Sequence, residues 1–205
     1  MVRPDISHFH RIAKVRMCRG LIFCMGLAWG MGMFGCARHP GYTYPMLTQY
    51  EGEHLGPEAT IRYVQDPVEL DRMRLRVKDG LLVDADFKPL DPQVDTHPKR
   101  DGFAIFVMDM SQRIYVSFDH EQDRFHHSSI LAGAAVSAAG DMTILGGKLL
   151  GISNSSGHYR PDAECIDRVL KRLSQMGVDV KQVRMSRIGQ DGQRRYVPSR
   201  TPGRD

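Results

Sequence analysis

The sequence predicts an α+β domain: an antiparallel β-meander or curled sheet with one C-terminal helix and a final strand. Three observations predict it. First, short apolar or alternating runs follow one another through 73–118, with turn residues between them. Second, Asp79-Gly80 and Gly146-Gly147 sit between such runs, where a two-residue hairpin requires positive φ. Third, the period changes after Pro161: Ile166, Val169, Leu170, Leu173 and Met176 share one face at helical spacing. Strands first and a packed helix after them is the α+β order.

Taken in chain order, Met73–Val77 and Leu81–Val83 read as a hairpin around Lys78-Asp79-Gly80. Pro89, Pro92 and Pro98 make 86–101 a loop. Phe103–Asp109 is strongly apolar and reads as a central strand, followed by a turn at Ser111–Arg113 and an alternating strand at Ile114–Phe118. Asp119–Arg124 is a polar loop. Val136–Ala139 and Met142–Leu145 are short strands, and Gly146-Gly147 turns into Leu149–Ser153. Pro161 opens the helix, since the first turn needs no donor there, and Gly177 suits its C′ position. Val178–Met185 is the last strand. The domain therefore runs over 60–186, with a flexible basic tail over 187–205 carrying Arg187, Arg194, Arg195, Arg200 and Arg204.

The N-terminus carries a different message. Leu21–Phe34 is an apolar run behind basic residues, broken by Gly26, Gly30 and Gly32, and it ends in Gly35-Cys36. A bilayer-spanning helix needs about 20 apolar residues, more than this run supplies. Basic n-region, apolar h-region and small-residue exit are the build of a secretory signal. Met33-Phe34-Gly35-Cys36 resembles the lipobox of bacterial lipoproteins. The expectation is cleavage of 1–35, lipidation of Cys36 with palmitate, and a lipidated tether over 36–59 rich in Pro, Gly and Tyr. A start at Met17 gives the more compact signal. Ala37 rather than Asp after the lipidated cysteine points to the outer membrane, with the domain facing the periplasm.

Charge and cysteine use agree with that division. The chain holds 28 Lys/Arg and 24 Asp/Glu; residues 1–35 account for five of the former and one of the latter, so the remainder is balanced. A balanced domain makes no electrostatic case for nucleic acid. Cys18 and Cys24 leave with the signal, Cys36 takes lipid, and Cys165 is left without an internal partner.

Three stretches concentrate polar chemistry: Phe125-His126-His127-Ser128-Ser129-Ile130-Leu131-Ala132-Gly133, Val136-Ser137-Ala138-Ala139-Gly140-Asp141 and Asn154-Ser155-Ser156-Gly157-His158-Tyr159-Arg160-Pro161. With Asp79–Ala85 and Ala104–Asp109, they resemble, block by block, the core shared by the IQ-motif-containing calmodulin-binding proteins of plants. The resemblance covers about 75–185. Asp141 stands where that family has Glu, and Ile130 where it has Phe. The IQ motif itself is absent from the sequence, so calmodulin is not expected as a partner. The resemblance implies a fold more than a reaction.

Read on their own, these residues allow two accounts. His126, His127, Ser128, Ser129, Asp141, His158, Tyr159 and Arg160 can form a ligand or catalytic site. Ser128 or Ser129 would be the nucleophile, a histidine the base and Asp141 its orienting acid, with Arg160 clamping a carboxylate or phosphate. In a strand, His126 and His127 would face opposite sides. Alternatively the hydroxyls and imidazoles satisfy backbone, Tyr159 anchors the core, Arg160 partners Asp141, and Ser155-Ser156-Gly157 is turn chemistry. No zinc spacing, Gly-x-Ser-x-Gly, Cys-x-x-Cys or phosphate loop is present, so neither metal nor cofactor is expected. The expectation is a lipid-anchored binding or interaction domain; the alternative is a hydrolase or transferase using His127, Ser128, Asp141 and His158.

Overall fold

The computed structural model describes residues 42–92, 102–189 and 191–197. The signal, Cys36, the end of the tail and most of the Pro-rich loop lie outside these. Helix α1 (Pro67–Met73) is followed by β1 (Arg76–Lys78), β2 (Leu81–Val83), β3 (Phe103–Met108), β4 (Ile114–Ser117) and a short helix α2 (His127–Ile130). Then come β5 (Ala138–Leu145), β6 (Lys148–Ser153), helix α3 (Glu164–Gln175), β7 (Arg184–Ile188) and β8 (Arg194–Val197). β1 and β2 form a hairpin of their own, and the others form one sheet in the order β4-β3-β5-β6-β7-β8. The α+β reading holds, and so do both hairpins: Asp79, Gly80, Gly146 and Gly147 all take positive φ, as the tight turns demand.

β3 is apolar throughout because both of its faces are covered. Ala104, Phe106 and Met108 enter one core with Cys165, Ile166, Val169 and Leu173 of α3. Ile105 and Val107 enter a second core with Phe125, Ile130, Val136 and Tyr159. A central strand buried on both sides reads as a continuous apolar run rather than an alternating one. At the end of α3, the Val178 N–H bonds to the Leu173 carbonyl at 3.0 Å across Gly177, whose φ is 98°, the left-handed cap that glycine favours.

Five expectations need correction. The two strands expected over 136–145 are one, β5, running through Gly140 and Asp141. Gly140 permits this, since a Cβ there would stand 1.8 Å from the Ser153 carbonyl oxygen. The strand geometry considered for His126 and His127 does not apply, because the stretch after His126 is a helix: Ser129 Oγ accepts the His126 N–H at 3.0 Å, closing the first turn. The last expected strand is shifted. Asp179 holds a turn by accepting the Lys181 N–H at 3.0 Å, and pairing begins at Arg184. β7 runs parallel to β6 because α3 carries the chain back across the sheet. The expected tail contains β8, paired antiparallel with β7.

The fifth correction concerns the tether. Its second half is packed: Tyr44 bridges Val136 in both directions, at 2.8 and 3.0 Å, and the Leu47 N–H bonds to the His158 carbonyl at 2.9 Å. The packed domain thus includes this strap before Thr60 and also α1, which Asp66 caps by accepting the Val68 N–H at 2.9 Å.

A histidine-lined candidate site

α2, the loop between β6 and α3, and the strap of residues 42–58 converge on one face of the sheet. The loop is fixed by Asn154. Its amide donates to the carbonyls of Pro161 and Ile188, each at 3.0 Å, while its oxygen accepts the Ile188 N–H. That clamp presents His158 toward α2. The rings of His126 and His158 stack with centroids 4.9 Å apart, and His120 stands 5.8 Å from His126. A cavity of about 510 Å³ opens here, lined by His120, His126, His127, Asp141, His158 and Arg194 with Phe103.

Each imidazole is held differently. His127 is buried, and its Nε2 donates to the Gly140 carbonyl at 2.9 Å. A carbonyl only accepts, so Nε2 carries the proton. Burial pushes its pKa down to about 3, against the pull of that carbonyl. The neutral ring therefore makes no ion pair with Asp141, whose Oδ1 lies 3.8 Å away. Desolvation and then the neighbouring His158 lower the pKa of His126. His158 Nε2 donates to Glu53 Oε2 at 3.0 Å, and its ring lies 4.1 Å from that of Tyr50.

The serines are not poised for attack. Ser128 is fully buried and its hydroxyl donates to Glu53 Oε1 at 2.6 Å, not to a histidine. Ser129 is fully buried and serves as the helix cap. Asp141 accepts from Ser153 Oγ at 3.2 Å and reaches the cavity. Tyr159 is a core anchor, its hydroxyl donating to the Ala134 carbonyl at 2.9 Å; burial raises its pKa. Arg160 lines a larger neighbouring cavity of about 1120 Å³ with Asn154, Pro161 and Asp162, which meets the histidine cavity at Ser155 and Gly157. Its expected pairing with Asp141 is replaced by that placement. The structure thus gathers His126, His127, His158 and Asp141, seals Ser128 and Ser129 beneath them, buries Tyr159 in the core and places Arg160 in the neighbouring cavity.

Sequence reasoning missed Glu53, Tyr63, His120 and Arg194. Tyr63 donates to Glu53 Oε1 at 3.1 Å, so three side chains converge on one carboxylate. Glu53 lies 75 positions before Ser128, in a Gly- and Pro-rich stretch, and nothing local marks it. Helix α1 was also missed, although Asp66-Pro67 carries a signal for it: a cap followed by proline at the first helical position. Among the described residues, no group of three or more His, Cys, Asp or Glu is arranged to hold a metal ion. No helix there is long and apolar enough to cross a membrane.

Residues 71–166 match the model of the IQ motif-containing protein middle domain. The IQ domain-containing protein IQM3 of Arabidopsis thaliana is 39% identical over 87 residues, covering 42% of this chain and 19% of that protein. IQM2 of the same plant is 38% identical over 133 residues, covering 64% of this chain and 21% of its own. IQM4 is 29% identical over 131 residues, with coverages of 64% and 23%. The chain spans about a fifth to a quarter of the length of these relatives and shares this core domain with them. No solved structure matches it.

Proposed function

We propose that this chain is a lipid-anchored cell-envelope protein whose α+β domain binds a small polar ligand in the histidine-lined cavity. The observation that carries the binding reading is the pairing of an open cavity with sealed serines. Its volume, about 510 Å³, is that of a small-molecule site. Its lining supplies imidazoles, a carboxylate and a guanidinium, groups that donate and accept from several directions. The two hydroxyls best suited to nucleophilic attack are fully buried and already bonded.

The test of binding is a polar-fragment screen against the intact protein, read by imidazole resonances. Fragments that move His126 and His158 support it; fragments that bind only elsewhere overturn it. The anchor rests on Met33-Phe34-Gly35-Cys36. Cys36→Ser is expected to move the protein from the detergent phase to the aqueous phase in a Triton partition, and unchanged partition overturns the anchor.

One observation favours a second reading, a hydrolase or transferase. Glu53 holds His158 at 3.0 Å beside the open cavity, the arrangement of an orienting acid and a base. In such an enzyme the base would act on a bound hydroxyl or water rather than on Ser128. Ser128→Ala retaining any activity found would fit this version, and its loss without loss of folding would restore the serine.

A further inference from the structure

We infer that the histidine cavity continues as a groove across β5–β8 and that the groove takes an extended acidic oligosaccharide. This rests on the binding reading above and names its ligand class.

The groove follows from topology. A second cavity, about 240 Å³, lies over β5, β6, β7 and β8 and shares Phe103, Asp141 and Arg194 with the histidine cavity. Asp141 pairs with Ser153, Ser153 with Ser186 and Ser186 with Tyr196. Directly paired residues share a face, so these four form one row across the sheet. The intervening residues Met142, Ile152 and Met185 face the other way, into the core under α3. On that face Arg184 and Arg194 are exposed and Tyr196 is 80% exposed, while Ser153 and Ser186 are buried at the floor, where the Arg194 guanidinium donates to Ser186 Oγ at 3.2 Å.

The chemistry of that row selects the ligand. From β5 to β8 is three strand spacings, roughly 14 Å, so a ligand that touches both Asp141 and Tyr196 is a chain. Asp141 accepts hydroxyls. The exposed ring of Tyr196 offers a flat apolar face to a sugar ring at one side of the groove, and Phe103, stacked on His120 with centroids 5.7 Å apart, forms an apolar wall at the other. Among the described residues, two guanidinium groups, Arg184 and Arg194, outnumber the one carboxylate lining the groove, Asp141, and a guanidinium meets a carboxylate with two parallel hydrogen bonds. The sugar is therefore acidic rather than neutral. Single-stranded DNA also uses arginines and aromatic rings, but its backbone has no hydroxyl to donate to Asp141, whereas a sugar acid carries both hydroxyls and a carboxylate.

The experiment titrates the full chain with trigalacturonic acid, galacturonic acid, galactotriose and a single-stranded DNA oligonucleotide, by calorimetry. The trimer is expected to bind at least tenfold more tightly than the monomer and than the neutral trisaccharide. Tyr196→Ala and Arg184→Gln are each expected to weaken the trimer at least fivefold, and unchanged affinity of both variants overturns the inference. Both side chains are exposed, so an unchanged melting curve certifies the fold. Equal binding of trimer and monomer, equal binding of acidic and neutral trimers, tighter binding of DNA, or no sugar binding overturns the inference. The polar-fragment screen separates the two levels. Fragments that move His126 and His158 while no sugar binds leave the binding reading standing; a failure of both removes it as well.

Discussion

The hydroxyl of Ser128 donates to the carboxylate of Glu53 at 2.6 Å, joining α2 to the strap that lies 75 positions earlier. The same carboxylate accepts from Tyr63 at 3.1 Å and from His158 at 3.0 Å. One acid therefore ties together the strap, the helix and the loop that make the cavity, and it takes from Ser128 the proton that a histidine would have to take in a serine enzyme. Burial, and then the charge of Glu53, pushes the Tyr63 phenol up to about 12, so Tyr63 remains a donor across the physiological range.

Removing that acceptor leaves buried donors without a partner, which costs about 1–3 kcal/mol for each group so exposed to desolvation. Glu53→Ala is expected to lower the urea unfolding free energy by about 3 kcal/mol, and Glu53→Gln, which keeps one acceptor, by less than half of that. Equal stability of wild type and Glu53→Ala would show that the strap does not anchor the site.

Gly140→Ala is expected to be among the most disruptive single changes in the domain. A Cβ there would lie 1.8 Å from the Ser153 carbonyl oxygen and 2.8 Å from its carbonyl carbon, contacts that only a shift of β6 relieves. The same backbone supplies the carbonyl that His127 uses. A loss above about 3 kcal/mol, or failure to fold, is expected from thermal melts. A melt within a degree of wild type would contradict the register of β5 and β6.

Acid should destabilise the domain through His127. Its folded pKa, down to about 3, lies below the ordinary histidine value near 6.5, so between those values the unfolded chain binds the proton and the folded one does not. Stability from this group is complete above about pH 6.5 and is lost as pH falls toward 3, by at most about 1.4 kcal/mol per pH unit. His127→Gln keeps a donor for the Gly140 carbonyl and removes the titration. Denaturant melts at pH 7.5, 6 and 5 should therefore fall more steeply for wild type than for the variant; parallel curves would refute the assignment.

His126 should report on its neighbour. Its pKa is lowered first by burial and then by His158, stacked 4.9 Å away. His158→Gln removes that second cause, so the His126 midpoint is expected to rise in an NMR titration. A midpoint that stays or falls would mean that the two rings do not face each other in solution.

Much of the fold was legible because its signals are local. The positive-φ pairs Asp79-Gly80 and Gly146-Gly147, the apolar run of β3 and the 3.6-residue period of α3 each depend on a few neighbouring residues. The helix after His126 was not legible because four residues are too few to display a period. The shift from Val178 to Arg184 arose because apolar residues pack in a turn as readily as in a strand; Val178 and Val183 are both buried without pairing. The site was half legible. The histidines and Asp141 cluster in sequence blocks, whereas Glu53, Tyr63 and Arg194 reach it from strap and last strand through contacts that no short window contains.

The most direct test of the account is a polar-fragment titration of the intact protein, followed through the 15N-labelled imidazoles of His120, His126, His127 and His158. The account predicts that cavity ligands shift His120, His126 and His158 strongly, and that His127 stays a neutral ring with its Nε2 proton on the Gly140 carbonyl. Ligands that bind with all four imidazoles unmoved would contradict the claim that this cavity is where the domain does its work.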